Sequence, residues 1–291
     1  MAGSVNNGRA TESQSRAVAL RGFVWLAFIG VLFRFIVLWA DAAGASLPRL
    51  GSVGFTGVFS AFSLAHAASV FGWRRALSFL LICASVSWCF EAAGVATGLV
   101  YGHYHYGVRL GAKLGAVPLI IPLAWFMMVY ASWVVAHVLL QGAGDPSSVP
   151  GSLSRSLVAA AVMTSWDVVM DPGMARAGTW TWEDGGAYFG VPFQNFVGWI
   201  VTTLTVYVLT ALVFRGRRSG SSQKASGRFY VGLPVFAYAC VALDRVLIAS
   251  VPELHIVAAF GMALLASLAI LRLVLTPQPI SLPEGVSSAS S

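Results

Sequence analysis

Long apolar segments separated by short polar ones dominate the pattern along the chain. A helix of about 20 apolar residues spans the hydrocarbon core of a bilayer, which is about 30 Å thick. The pattern therefore predicts an all-α fold, a polytopic transmembrane helical bundle with about 7–8 spans. The segments lie at approximately 22–40, 53–71, 76–100, 116–140, 156–171, 194–214, 229–250 and 254–275. The weakest is 156–171, which is short and ends in two acids.

Polar sequences flank this apolar region. Residues 1–20 are rich in Ser, Asn and Arg, and we expect a disordered cytoplasmic tail there. Residues 21–276 form a single predicted transmembrane domain, and the Pro/Ser-rich segment 277–291 is a second predicted disordered tail. The first apolar run is longer than the core of a signal peptide and is interrupted by Arg34, which favours a membrane anchor.

Composition excludes an ordinary soluble domain. Only 10% of the residues are charged and 57% are hydrophobic, whereas soluble domains carry about 25% charged residues. The net charge of +7 does not indicate nucleic acid, because most basic residues lie between the apolar spans. The three cysteines lie inside apolar stretches without CxxC spacing, so neither a disulfide framework nor a zinc site is predicted.

The positions of the basic residues predict an orientation. With the N-terminus inside, twelve of the 18 Lys and Arg residues fall on the inner side and four on the outer side. Cytoplasmic loops carry the excess of Lys and Arg in membrane proteins. We therefore expect a multi-pass protein of the cytoplasmic (inner) membrane with both termini in the cytoplasm.

Charged residues inside a span are costly and are functional candidates by default. They are Arg34, Glu91, Asp167, Asp244 and Arg245, with Asp171 at a span boundary. Gly94 and Gly98 share a helix face with Glu91, and glycines at this spacing permit close helix contact. Glu91 is therefore expected to face the bundle. The alternative is a structural ion pair between Glu91 and Arg34 or Arg245.

Asp167 and Asp171, in TSWDVVMDPG, are one helical turn apart and share a face. Paired acids can bind a divalent cation or share one proton. Pro172 follows at once and suits a helix end. Under the alternative interpretation, Asp171 only terminates the span at the water interface.

Two loops concentrate aromatic residues on the predicted outer side. YGHYHYGVRLGAK follows the Glu91 span, and GMARAGTWTWEDGGAYFGVPFQN follows the Asp167 span. Their aromatics fit either an interfacial belt or a cover over a site. His103 and His105 lack the repeated histidine clusters of membrane di-iron oxygenases, so no metal site is predicted. Oxygen chemistry would need a metal or another redox cofactor, and no cofactor-binding motif is present.

Several stretches resemble the carotenoid hydratase family, which includes γ-carotene 1′,2′-hydratases and bisanhydrobacterioruberin hydratases. They are EAAGVATGLVYGHYHYG, LGAKLGAVPLIIPLAWFMMVYASWVVA and SWDVVMDPGMARAGTWTWEDGGAYFGVPFQNFVGW. The resemblance covers roughly residues 20–275 and is specific in the two acidic–aromatic segments. It implies addition of water to the terminal C-1,2 double bond of an acyclic (ψ-end) carotenoid, which gives a tertiary alcohol without redox chemistry.

Hydration of such an alkene begins with protonation of C-2 and ends with capture of the C-1 cation by water. It requires a carboxylic acid kept protonated by apolar surroundings, aromatic faces for the cation, and a polar group that delivers water. Asp167 or Glu91 is the predicted proton donor, with Asp171 or the other acid orienting water. The predicted substrate-binding residues are Trp88, Tyr101, His103, Tyr104, Trp166, Trp180, Trp182 and Asn195. Among these, Trp88, Tyr101, Trp166 and Trp180 are candidate cation stabilisers, and Asn195 is a candidate water ligand.

The expected partners are a lipid-dissolved carotenoid and the membrane, with other carotenoid biosynthesis enzymes as candidates and with no nucleic acid and no cofactor. Three other functions stay open. An intramembrane prenyltransferase could use the DxxxD of Asp167 and Asp171, although such enzymes carry two acidic motifs. A proton-coupled transporter could use Glu91 and Asp244 as a relay. A carotenoid-binding protein would need the cavity without the acids.

Overall fold

Ten α-helices and four short strands make up the part of the chain that the computed structural model describes, which comprises residues 2–45, 47, 51–146, 148–215, 227–248, 251–276, 280 and 282. The helices are α1 (Ala2–Ala42), α2 (Ser52–Phe71), α3 (Trp73–Thr97), α4 (Ile121–Leu139), α5 (Val149–Arg176), α6 (Phe193–Arg215), α7 (Arg228–Val231), α8 (Leu233–Leu247), α9 (Leu254–Ala258) and α10 (Leu264–Leu275). The strands are β1 (Tyr104–Tyr106), β2 (Lys113–Leu114), β3 (Val117–Pro118) and β4 (Trp180–Trp182). A π-helical turn, Ala259–Ala263, joins α9 to α10.

Within the described residues, seven helices are long and apolar enough to cross a membrane. They are Glu12–Ala42 of α1, α2, α3, α4, α5, Phe193–Phe214 of α6, and the continuous Leu254–Leu275. Large apolar side chains also cover their outer faces, among them Leu81, Leu212 and Phe260. Helices that are apolar on every face belong in lipid. The predicted all-α polytopic bundle is confirmed, and the protein is an integral membrane protein.

The predicted segment 229–250 is broken, because α7 ends at Val231 and α8 begins at Leu233. It nevertheless runs antiparallel to α9 and α10 along its length. Arg228 at its start donates from Nη1 to the Thr276 carbonyl at 3.0 Å. Near its end, Nδ1 of His255 lies 2.6 Å from the Val246 carbonyl. This segment therefore runs across the bundle beside Leu254–Leu275. A cation–π contact between Arg21 and Tyr230 places the start of the apolar part of α1 at the same face as Thr276.

Helix α5 extends well beyond the predicted segment 156–171. It begins after Ser148, whose Oγ accepts a hydrogen bond from the Gly151 amide at 3.1 Å. A side chain at Gly151 would collide with the Asp145 carbonyl, which explains the glycine there. At the other end, Pro172 does not stop the helix, contrary to the prediction, and α5 continues to Arg176. Asp171 is thus inside a helix that crosses the whole bundle.

The structure describes most of the first predicted tail and only two residues of the second. Helix α1 starts at Ala2, so residues 2–20, predicted as a disordered tail, are helical in the structure. An ion pair between Arg16 and Glu12, one turn apart at 2.5 Å, lies on this exposed part. The predicted tail 277–291 lies outside the described residues apart from 280 and 282.

Helix α4 is the centre of the bundle. It packs against α2, α3, α5, α8 and α10, and almost all of its side chains are buried. Helix α6 packs between α3 and α5, and α1 lies outside α2 and α8. The ends of α3, α4, α5 and α6 that carry the β-strands therefore converge at one face. We call it the outer face, after its predicted orientation.

Candidate active site

A tight chain reversal folds three tyrosines over Glu91 on α3. The helix ends at Gly98, whose left-handed backbone (φ 69°) turns the chain back. The ring of Tyr101 then packs against Gly94, where an added Cβ would lie 2.8 Å from Cδ2 of that ring. The glycines beside Glu91 thus admit a side chain of the following loop, whereas the sequence predicted close contact with another helix.

Glu91 is 5% exposed and accepts hydrogen bonds from three neutral groups. Nε1 of Trp125 donates to Oε1 at 2.8 Å, and the Tyr106 hydroxyl donates to Oε2 at 2.6 Å. The Tyr104 hydroxyl also donates to Oε2. Burial, followed by the nearby Glu91 charge, raises the pKa of both tyrosines, so the phenols keep their protons. These donors replace the structural ion pair that the sequence left open for Glu91.

Asp167 and Asp171 are bridged by Asn195 at the start of α6. Its Nδ2 donates to Oδ2 of Asp167 at 3.0 Å and to Oδ2 of Asp171 at 2.7 Å. The exposed fractions of these residues are 0%, 1% and 2%. The two carboxyl groups are close enough to interact directly, yet Oδ1 of each lacks a partner of normal hydrogen-bond geometry among the described residues. The unpartnered oxygens of the pair can therefore hold a proton or accept one.

A cavity of about 750 Å³, its open mouth included, separates Glu91 from Asp171 and Asn195. Its remaining wall is mainly aromatic and aliphatic, with seven aromatic residues: Tyr101, Tyr104, Tyr106, Trp125, Trp180, Trp182 and Trp199. The wall contains no Lys, Arg or His among the described residues. Acids in a mostly apolar, aromatic chamber are the arrangement that alkene protonation requires.

The two aromatic loops meet as a β-ribbon above this cavity. Strands β1 and β4 pair antiparallel, with Tyr104 opposite Trp182 and Tyr106 opposite Trp180. Nε1 of Trp182 donates to the Tyr101 carbonyl at 2.8 Å, which fastens the ribbon to the loop after α3. The ribbon thus covers the outer side of the cavity. Of the two interpretations of these aromatics, the geometry favours the cover.

The cavity also reaches the gap between α2 and α5. Val53 and Thr56 on α2 and Met170 and Met174 on α5 line it, with Val53 exposed and both methionines half-buried. Deeper in the bundle this gap is closed, because the rings of Phe59 and Trp166 are 6.1 Å apart. Since the faces of α2 and α5 at this level border lipid, the gap offers a sideways path for a hydrophobic chain.

Comparison with known proteins identifies the family. Residues 53–269 match the family described as carotenoid biosynthesis protein. The chain belongs to this family. Over 130 residues it is 35% identical to bisanhydrobacterioruberin hydratase of Haloarcula japonica, and the aligned part covers 44% of this chain and 42% of that protein. The match thus spans less than half the length of that curated relative. No solved structure matches the chain.

The structure brings most of the predicted site residues of this family member together. Glu91, Asp171, Tyr101, Tyr104, Trp180, Trp182 and Asn195 line the cavity, and Asp167 lies directly behind Asp171. Three predicted residues lie elsewhere. Trp88 is on α3 away from the lining, His103 is exposed beside Gly98, and Trp166 is buried between Phe59 and Tyr238.

Three aromatic residues of the wall were not among the predicted site residues. Tyr106 was noted only as a loop aromatic, although it bonds directly to Glu91. Trp125 and Trp199 stack with ring centroids 4.2 Å apart and an interplanar angle of 22°. Inside apolar spans such tryptophans look like any core residue, so only the hydrogen bond from Trp125 to Glu91 and the stacking of Trp199 on Trp125 identify them. Among the described residues, no group of three or more His, Cys, Asp or Glu could hold a metal ion.

Proposed function

We propose that this carotenoid biosynthesis protein adds water to the terminal C-1,2 double bond of an acyclic ψ-end carotenoid. The observation that carries the proposal is the buried carboxyl pair of Asp167 and Asp171, with Asp171 forming part of an aromatic cavity wall. Hydration of an isolated alkene needs a strong proton donor in dry surroundings. The match to a hydratase over part of the chain supports the same reaction class.

The surroundings of the pair favour retention of a proton. Moving an unpaired carboxylate out of water costs several kcal/mol, and two adjacent charges would also repel. One amide group, that of Asn195, is the donor to both carboxyls, and no cationic side chain lines the cavity among the described residues. Two carboxyls holding one proton leave a single negative charge there. That proton is the one available for C-2 of the alkene.

The cation formed at C-1 would meet aromatic faces and one fixed negative charge. Aromatic rings attract cations through their π-faces, and the stacked pair of Trp125 and Trp199 presents such surfaces at the cavity wall. Trp125 also donates to Glu91, so the carboxylate is held beside these rings. A preorganised charge of this kind stabilises a developing cation without reorganisation during the reaction.

The cavity and its side opening together suit the end of a long polyene. One terminal portion of a carotenoid would occupy the cavity, and the gap between α2 and α5 would let the remaining chain lie in the lipid. The methionines at this gap, Met170 and Met174, are flexible apolar side chains that adapt to irregular shapes. A lipid-dissolved substrate could thus enter sideways without passing through water.

Two rival functions fit the geometry less well. A prenyltransferase must neutralise a diphosphate, and the cavity wall holds no basic side chain among the described residues. A relay from Glu91 to Asp244 lacks continuity, because Asp244 is outside the cavity wall and pairs with Arg245 at 2.5 Å. Hydration requires acids in an apolar cavity, and Glu91 and Asp171 lie in the wall of one.

The test is expression of the full chain in cells that accumulate lycopene or γ-carotene, followed by liquid chromatography and mass spectrometry of the pigments. We expect a new pigment heavier by one water molecule, with its oxygen derived from labelled water. The Asp171→Asn variant, recovered in the membrane at equal amount, is the matched control and should leave the pigment unchanged. Unchanged pigments with the unmodified chain, on these substrates and on bisanhydrobacterioruberin, would refute the proposal.

A further inference from the structure

We propose, building on the hydration reaction above, that Asp167 and Asp171 act as one proton-sharing unit that both protonates C-2 and deprotonates the attacking water. Glu91 then transfers no proton and serves as a fixed anion. Asp171 touches the substrate from the cavity wall, and Asp167 acts through it from one helical turn deeper. This assigns different roles to acids that the sequence could not tell apart.

The free atoms of the carboxyl pair support the first half of this assignment. Asn195 occupies one oxygen of each carboxyl, Oδ2 in both cases. The other oxygen of each, Oδ1, has no partner of normal geometry among the described residues and is shielded from bulk water. A proton can therefore be held between the two carboxyls while another of their oxygens stays unprotonated, and Asp171 connects the pair to the cavity wall.

The atoms around Glu91 support the second half. Its Oε1 receives an indole N–H from Trp125, and an indole N–H is a donor only. Its Oε2 receives the hydroxyls of Tyr104 and Tyr106, whose protons are firmly held. A carboxyl surrounded by three donors is stabilised as an anion. Protonation of Glu91 would weaken these bonds, because a neutral carboxyl is a weaker acceptor than a carboxylate.

The proton cycle then closes within the pair. The carboxyl O–H bond breaks as the π electrons form the C-2–H bond, which leaves the cation at C-1. Water forms the C-1–O bond, its O–H bond breaks, and the proton returns to the empty carboxyl oxygen. The net change is the addition of one water molecule, and the pair ends in its starting protonation state. Neither another reactant nor a proton path to the solvent is needed in each turnover.

This assignment has a stereochemical consequence. Both new bonds are made through the pair on α5, so hydrogen and hydroxyl should add to the same face of the double bond. If Glu91 on α3 activated the water instead, the hydroxyl would arrive from the other wall of the cavity. The two schemes predict opposite relative configurations at C-1 and C-2.

The configuration is measured with a substrate analogue that carries an ethyl group in place of one terminal methyl, hydrated in D₂O by the full-length protein. Opening the matching epoxide with a deuteride reagent gives a reference alcohol with deuterium and hydroxyl on opposite faces. We expect the enzymatic product to be the other diastereomer by deuterium NMR. Formation of the reference diastereomer would overturn the assignment, while leaving hydration itself established.

Variants test the same assignment on the natural substrate, whether or not the analogue reacts. We expect Asp167→Asn and Asp171→Asn each to abolish turnover in folded, membrane-inserted protein. Glu91→Gln should retain turnover reduced about 100-fold, which is typical for loss of one electrostatic stabiliser, with the solvent deuterium isotope effect unchanged. Complete loss of turnover in folded Glu91→Gln, or retained turnover in either aspartate variant, contradicts the proposal.

If Glu91→Gln does not fold, Tyr106→Phe replaces it as the informative variant. It keeps the Glu91 carboxylate and removes one donor, which leaves Oε2 freer to bind water. Under the proposal turnover falls and the isotope effect stays unchanged. A rise in turnover would show that Glu91 acts on water.

Discussion

Buried polar groups form one network in the outer half of the bundle and another in the inner half, and the two are built differently. In the inner half, Nε2 of His66 faces the Tyr230 carbonyl at 2.8 Å, so it carries the proton, and Nδ1 accepts from the Tyr130 hydroxyl at 2.7 Å. The Tyr230 hydroxyl in turn bonds to Ser69 at 2.8 Å. In the outer half, the carboxyls of Asp167 and Asp171 keep oxygens without partners beside an open cavity.

The comparison distinguishes a buried polar network that stabilises the fold from one that is available for chemistry. Each ring nitrogen of His66 is satisfied and the ring is packed among Phe62, Tyr130 and Tyr230, so this network ties α2, α4 and α7 together. Burying a polar atom without a partner costs free energy. The outer half carries that cost at Asp167 and Asp171, beside the cavity. Changes in the outer network should therefore affect turnover, and changes in the inner network should affect stability.

Apart from substitutions of the acids themselves, the largest loss of turnover is expected for a substitution of Asn195. Asn195→Leu keeps the side-chain size but removes the amide that holds both carboxyls. Misplacing an acid–base group typically costs 10²–10⁴-fold in rate, so we expect a loss of about 100-fold or more. Turnover per folded protein in detergent measures it. A loss below about threefold would show that Asn195 does not position the pair.

A smaller loss of turnover is expected for Trp125→Phe. The substitution removes the N–H that donates to Glu91 at 2.8 Å and keeps an aromatic ring beside Trp199. A hydrogen bond to a charged group contributes about 1.5–3 kcal/mol, which corresponds to at least about tenfold in rate if it acts in the transition state. Trp133→Phe, on the same helix nearer its inner end, is the control and should keep full turnover.

His66→Leu should lower the stability of the protein and leave its turnover unchanged. It leaves the Tyr130 hydroxyl and the Tyr230 carbonyl without their partner in a buried site. Each unsatisfied buried group costs about 1–3 kcal/mol, so the thermal midpoint should fall by several degrees. Turnover of the remaining folded protein should be unchanged at low temperature. A selective loss of turnover without loss of stability would contradict the division between the halves.

The smallest effect is expected for Asp244→Asn. Asp244 is buried and pairs with half-exposed Arg245 at 2.5 Å, near Arg34 and away from the cavity. A partly solvated ion pair contributes about 1 kcal/mol or less. We expect a slightly lower thermal midpoint with unchanged turnover. Loss of turnover would instead support the hypothesis of a proton relay between Glu91 and Asp244.

The membrane-spanning character of the protein follows from its amino-acid sequence alone, because runs of apolar residues report directly on burial in lipid. The same runs make Glu91, Asp167, Asp171 and Asn195 candidates, since charged or polar groups inside them are rare enough to stand out. Helix limits were less predictable. The local rule that proline ends a helix failed at Pro172, where packing of α5 against α4 and α6 sustains the helix to Arg176.

What each of these groups faces depends on the tertiary structure. Trp125 and Trp166 both lie in apolar spans, yet the first donates to Glu91 and the second packs against Phe59. Tyr104 and His105 are neighbours, yet the pleat of β1 places Tyr104 over the cavity and leaves His105 exposed. Asn195 meets the two aspartates across 24 and 28 residues of chain. Such contacts depend on how α3 to α6 converge, and no local pattern of residues encodes that convergence.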